Sequence, residues 1–296
     1  MTHEPTPTTH QVPTSGGRTL TVEVAGPDHG PVLLFLHSAP GARGFDPDPA
    51  ATAASGRRLV TFDRAGYGSS DPLPDGEVPT IGRHAADAAR VVEALEAGAV
   101  DVVGWSAGGR IGAALAASRP ELVRSLAIVA TPAPDDVVPW VGDEYRAMAA
   151  ELRTSPSTAM ASLVPQFAGL VDAIAADEAV AVAQVSGGPG DEAMLAHRPE
   201  LRSAVAAMVR ASVSTGATGM AADIVADQVS PWGFDRADVR ARTTCWYGAA
   251  DETVGPAHGT WWAEGIRGAS CTTVPEIGHL VVTASWPDIL AAADRS

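Results

Sequence analysis

Two kinds of hydrophobic spacing divide the chain. Pro31–His37, Arg58–Asp63, Val100–Val103, Ser125–Ala130, Thr243–Tyr247 and Ser270–Val274 are short runs rich in apolar and β-branched residues, the composition of strands. Pro31–His37 is apolar without interruption, as in a strand buried on both faces of a parallel sheet. Residues 11–26 read instead as a hairpin, with a turn at Ser15-Gly16-Gly17 and alternation over Leu20–Ala25. Between strands, residues 81–96 place Ala85, Ala88, Val91, Val92 and Leu95 on one helical face, and Gly98 ends the helix. Strands alternating with helices predict right-handed crossovers and a mainly parallel sheet.

From about Ala133 to Trp232 no convincing strand occurs. Alanine-rich helical stretches are predicted instead at roughly 141–152, 156–173, 191–210 and 215–228. All five internal methionines (Met148, Met160, Met194, Met208 and Met220) fall in this block, and Ser186–Gly190 reads as a loop or hinge. Methionine adapts to irregular apolar surfaces, which suits a lid over a greasy pocket and equally suits helical core filler. The predicted division is a core over 1–132, a helical cap over 133–232, and the rest of the core over 233–296, closed by a helix near 285–294.

Composition narrows the chemistry. The 296 residues are enough for a sizeable core, and with 46% hydrophobic but only 5% aromatic residues that core is aliphatic and alanine-rich. All 20 basic residues are arginine, so Schiff-base chemistry, pyridoxal phosphate attachment and a P-loop lysine are excluded. A net charge of −15 without a basic cluster argues against nucleic-acid and anionic-membrane partners. Residues 1–10 carry no apolar run and read as a flexible leader, and no segment approaches a transmembrane length. Cys245 and Cys271 are expected as buried free thiols of a cytoplasmic chain. The eight histidines show no metal-binding spacing.

The chemistry-bearing stretch is Val100–Gly109. Gly104-Trp105-Ser106-Ala107-Gly108 fits G-x-S-x-G between a strand and the helical run Arg110–Ser118. In that setting the pattern describes a nucleophile elbow, with small residues two positions either side of a strained serine. Alone it is also compatible with a glycine-rich turn and an incidental serine. A serine needs a base within reach and an acid to orient that base. His279 follows a strand behind Gly278. Asp251 follows another strand after Gly248, where it fits either the acid or a helix N-cap. The order Ser106, Asp251, His279 is the one that accompanies G-x-S-x-G.

With these residues in place the chain resembles the α/β-hydrolase superfamily, especially capped members such as proline iminopeptidases, esterases and lactonases. His37-Ser38-Ala39-Pro40-Gly41 is similar to the HGxPG oxyanion loop, and Asp63–Ser69 to the D-x-x-G-x-G-x-S turn. The resemblance implies an eight-stranded, mainly parallel sheet flanked by helices, with Ser106, Asp251 and His279 as catalytic triad. It also implies an oxyanion hole from the N–H groups of Ala39 and Ala107. Ser38 stands where the family commonly has glycine, either narrowing the loop or adding a donor toward substrate. Trp105 is expected either to line the pocket or to pack beneath the elbow, and Asp63 to tie its loop together.

The activity so implied is acyl transfer from a small or medium apolar ester or lactone, with no metal or organic cofactor. Iminopeptidases use acidic cap residues against a free amino terminus. Glu144, Glu151, Glu178, Glu192 and Glu200 are available for that role, although the loop and elbow depart from the HGGPG and GGSWG forms of that subgroup. Other readings of the triad are a cofactor-free perhydrolase, a C–C hydrolase, a biosynthetic cyclase, or a non-enzymatic small-molecule receptor. A homodimer is compatible with the sequence, but nothing demands one.

Overall fold

The apolar runs become the strands of one sheet. In the computed structural model, which describes residues 6–294, these are β1 (Thr8–Pro13), β2 (Thr19–Ala25), β3 (Val32–Leu36) and β4 (Arg58–Phe62), followed by β5 (Val100–Trp105), β6 (Val123–Val129), β7 (Arg242–Gly248) and β8 (Ser270–Val274). The order across the sheet is β1-β2-β4-β3-β5-β6-β7-β8. Only β2 runs against its neighbours, β1 and β4, and every other pair is parallel. Local alternation explains the β1–β2 hairpin. The parallel pairs need the intervening helices, which cover both faces and account for the uninterrupted apolar sequence of β3.

Alternate side chains feed two apolar layers. Leu34, Leu36, Val60, Phe62 and Val102 pack on the helices Ile81–Ala94 and Ala107–Ser118. Leu33, Phe35, Val103, Trp105 and Val129 face the other way, against Trp286 and Ile289 of the helix Trp286–Asp294 and apolar residues of the segment between β6 and β7. Dozens of fully buried aliphatic side chains at roughly 1.5–3 kcal/mol each make these layers the main stabilising term.

The segment between β6 and β7 is helical, but more broken than its periodicity suggests. The expected stretch 156–173 splits into Pro156–Gln166 and Ala168–Ala176, bent by 43° at the break. The stretch 191–210 splits at Arg198, which precedes Pro199 and adopts φ −133°, ψ 70°. A proline disfavours helical geometry in the residue before it, so Pro199 ends one helix and starts the next. The helix Thr218–Ile224 continues into a π turn, Val225–Val229. Among the described residues no single helix is long and apolar enough to cross a membrane; the bent pair reaches that length only across its break.

Three expectations change. Residues 8–10 of the expected leader belong to β1, paired with Val22–Val24, while residues 1–5 lie outside the described part. The helix Pro49–Ser55, capped by Asp48, was not predicted: its alanines carry no amphipathic stripe. Cys245 is buried as expected, but Cys271 is an exposed free thiol. It lies on the edge strand β8, which is exposed along most of its length.

Candidate active site

Ser106 links β5 to the helix Ala107–Ser118 at φ 55°, ψ −121°. A positive φ in a non-glycine residue costs about 1–3 kcal/mol and persists only where its surroundings enforce it. Here its N–H donates to Val129 O at 2.8 Å, and its carbonyl accepts from Gly109 N at 3.0 Å. The flanking glycines are required by packing. A Cβ on Gly104 would run into the Gly108 carbonyl, and one on Gly108 into the carbonyl of Leu36 on β3. The pattern G-x-S-x-G is therefore the spacing at which β3, β5 and the helix approach backbone to backbone.

β7 and β8 deliver the partners. Asp251 follows β7 and His279 follows β8, and the His279 Nδ1–Asp251 Oδ2 distance is 2.7 Å. Asp251 Oδ1 accepts the N–H groups of Thr253 at 2.9 Å and Val254 at 2.8 Å. Burial pushes the Asp251 carboxyl up, but the hydrogen bond and charge of His279 and the two N–H donors outweigh it, leaving it below its ordinary range. An ionised carboxylate only accepts, so Nδ1 is the donor in this pair, and in a neutral ring the lone pair is left on Nε2. The helix cap reading of Asp251 fails, because Gly255 precedes the helix Pro256–Gly265.

Ala39 and Ala107 line one cavity with Ser106 and His279. Ser38 and Trp105 do not. The Ser38 hydroxyl donates back to Pro40 O at 2.9 Å, within its own loop. Trp105 is fully buried beneath the elbow, and its Nε1 donates to His279 O at 3.0 Å. The structure thus assigns Trp105 to packing and withdraws both residues from substrate contact.

The loop after β3 is held by Arg64, which is only 1% exposed. Its Nη1 donates to His37 O at 2.7 Å and its Nη2 to Ser38 O at 2.9 Å. The guanidinium is balanced by Asp223 of the helix Thr218–Ile224, which also accepts from the Tyr67 hydroxyl at 2.7 Å. Asp63 ties the next turn as expected, accepting from Arg43 N at 2.9 Å and Ser69 N at 3.0 Å. His37 is buried beside Arg64; desolvation, aided by that charge, drives its pKa well below the ordinary value, so it is neutral.

The cavity holds about 500 Å³. Residues from the helical insertion supply Trp140, Tyr145, Phe167, Leu170, Val185, Met220 and Ile224, a mostly apolar wall. None of Glu144, Glu151, Glu178, Glu192 or Glu200 lines it; the acids that do are Asp223 and Asp227. Asp227 pairs with Arg110, whose guanidinium lies 5.5 Å from the Trp140 ring and 5.1 Å from that of Trp232. Arg110 is one helical turn beyond Ser106, a spacing that was available as a signal in the sequence. Asp223 and Asp227 gave no such signal, because their partners are remote. Among the described residues no cluster of three or more His, Cys, Asp or Glu could hold a metal ion.

The sequence profile described as alpha/beta hydrolase fold matches residues 31–282. The chain belongs to that family. A serine hydrolase-like protein of Danio rerio is 33% identical over 109 residues, covering 37% of this chain and 33% of its own length. The 3-oxoadipate enol-lactonase 1 of Acinetobacter baylyi is 30% identical over 93 residues, 31% of this chain and 34% of its own. The matched region is thus about a third of each relative's length. A hydrolase structure from Pseudomonas aeruginosa PA01 superposes with a TM-score of 0.68 at 22% identity, covering 96% of both chains, a likeness of fold.

Proposed function

We propose that this α/β-hydrolase-family chain is a serine hydrolase that cleaves a small or medium, largely apolar ester or lactone through an acyl-enzyme on Ser106. The observation that carries the reading is the strained Ser106 at a helix N-terminus, sharing its cavity with a His279 whose Nδ1 is bound to Asp251 at 2.7 Å. Nε2 of His279 takes the Ser106 proton as Oγ attacks the carbonyl. The tetrahedral oxyanion is received by the N–H groups of Ala39 and Ala107, each such donor being worth about 3 kcal/mol of transition-state stabilisation. His279 returns the proton to the leaving oxygen, then activates water to release the acid. Asp251 holds the tautomer and the imidazolium throughout.

The apolar wall and the 500 Å³ volume support a compact acyl group. The partial likeness to an enol-lactonase supports lactones among the substrates. An amino-terminal peptide is disfavoured because both acids on the wall are paired with arginine. The test is hydrolysis of short p-nitrophenyl esters and γ-lactones, with fluorophosphonate labelling of Ser106. Ser106→Ala is expected to abolish both. Full esterase activity in that variant would remove Ser106 from the mechanism, and peroxide-dependent halogenation or tight ligand binding without turnover would favour the other readings of this fold.

A further inference from the structure

The loop expected at Ser186–Gly190 spans 184–188 instead, because Pro189 starts the helix Pro189–His197 directly after Gly188, and this loop of the insertion does not hang free. It is pressed onto the loops that carry His279 and Asp251. A Cβ on Gly187 would lie 2.7 Å from His279 Cβ and 2.9 Å from Asp251 Oδ1, and Glu252 N donates to Gly187 O at 3.3 Å. Asp191, 0% exposed, lies in the first turn of the helix that follows this loop.

The Asp191 carboxylate accepts from backbone alone. Oδ1 takes Gly278 N at 2.9 Å; Oδ2 takes Leu280 N at 3.1 Å and Gly187 N at 2.7 Å. The two remote donors are the peptide N–H groups on either side of His279. One carboxylate therefore straddles the histidine and ties it to the insertion's own loop. Gly278 must be glycine for this approach, since a Cβ there would come 2.8 Å from Asp191 Oδ2. A buried carboxylate is costly unless its acceptor capacity is filled, and three peptide donors in fixed positions fill it only when both loops are seated.

We propose that Asp191 is a positioning residue for His279, through which seating of the helical insertion sets the geometry of the catalytic histidine. On the proposed serine hydrolase reading, on which this rests, Trp105 fixes the carbonyl of His279 from the elbow side, while Asp191 fixes the N–H groups around it from the insertion side. Asparagine at 191 keeps the size but turns an NH₂ group toward one set of peptide donors, so the clamp opens without a cavity.

The test compares wild type with Asp191→Asn by steady-state hydrolysis of p-nitrophenyl acetate and by the low-field proton NMR signal of the His279 Nδ1–H, identified by its loss in Asp251→Asn. We expect kcat to fall about 10–100-fold with KM within about twofold, since misplacement of a catalytic group acts on the reacting geometry. The low-field signal is expected to weaken or vanish. A folded Asp191→Asn with unchanged kcat and unchanged signal overturns the proposal, as does a change confined to KM. If that variant does not fold, Gly187→Ala decides: it pushes on His279 from the same loop and must give the same loss of kcat and signal, and an unchanged protein overturns the proposal. Failure of the wild type to hydrolyse esters or to label at Ser106 refutes the hydrolase reading instead; the proton signal still decides whether Asp191 holds His279.

Discussion

Asp223→Ala tests whether the helical insertion anchors the His37–Gly41 loop after β3. In the wild type, Asp223 balances the buried Arg64 and accepts from Tyr67, while Arg64 carries the carbonyls of His37 and Ser38. Removing the carboxylate strands a guanidinium that is 1% exposed. Breaking a buried pair in this way costs about 3–5 kcal/mol. At roughly 2–4 °C per kcal/mol for a domain of about this size, Tm should drop by roughly 6–20 °C. The pH dependence has a definite sign. Burial pushes the Asp223 carboxyl up, but Arg64 and the Tyr67 hydroxyl outweigh it and hold it below its ordinary value. A depressed carboxyl adds stability above its unfolded pKa of about 3.9, lost as pH falls through the lower folded value. Thermal melts should therefore differ most between variant and wild type near neutrality and converge in acid below about pH 4. The double variant Arg64→Met/Asp223→Leu strands no charge and should recover part of the stability, yet it should hydrolyse esters slowly because the His37–Ser38 carbonyls have lost their clamp. An Asp223→Ala protein melting within about 2 °C of wild type, or a double variant no more stable than Asp223→Ala, would refute the reasoning.

Other perturbations test the remaining parts. Asp251→Asn should lower kcat by roughly 10⁴-fold with the fold intact, by releasing the tautomer of His279, measured with p-nitrophenyl acetate at neutral pH. Gly108→Val should prevent accumulation of folded protein, judged by soluble yield and circular dichroism, because its side chain would enter the Leu36 carbonyl. Trp140→Ala should shift the preferred p-nitrophenyl ester toward longer acyl chains by enlarging the cavity, while also loosening the Arg110 stack. With Ellman's reagent, the exposed Cys271 should react in the native protein and Cys245 only on unfolding, since burial both shields the Cys245 thiol and pushes its pKa up.

What the sequence determined by itself was local or ordered along the chain. Strand composition marked the sheet, because a strand buried on both faces must be apolar throughout. Gly104 and Gly108 marked the elbow, because close backbone approach leaves no room for a Cβ. The order of Ser106, Asp251 and His279 marked three strand ends, which a parallel sheet brings to one edge. Composition could not show which acids face the cavity, and the five glutamates weighed for that role lie elsewhere. Their place is taken by Asp223 and Asp227, whose pairing with Arg64 and Arg110 joins segments remote in sequence. Nor could spacing reveal Asp191, whose remote partners are peptide N–H groups 87 and 89 residues away. Those donors are the same in every residue except proline. Only the tertiary structure could place them around one buried carboxylate.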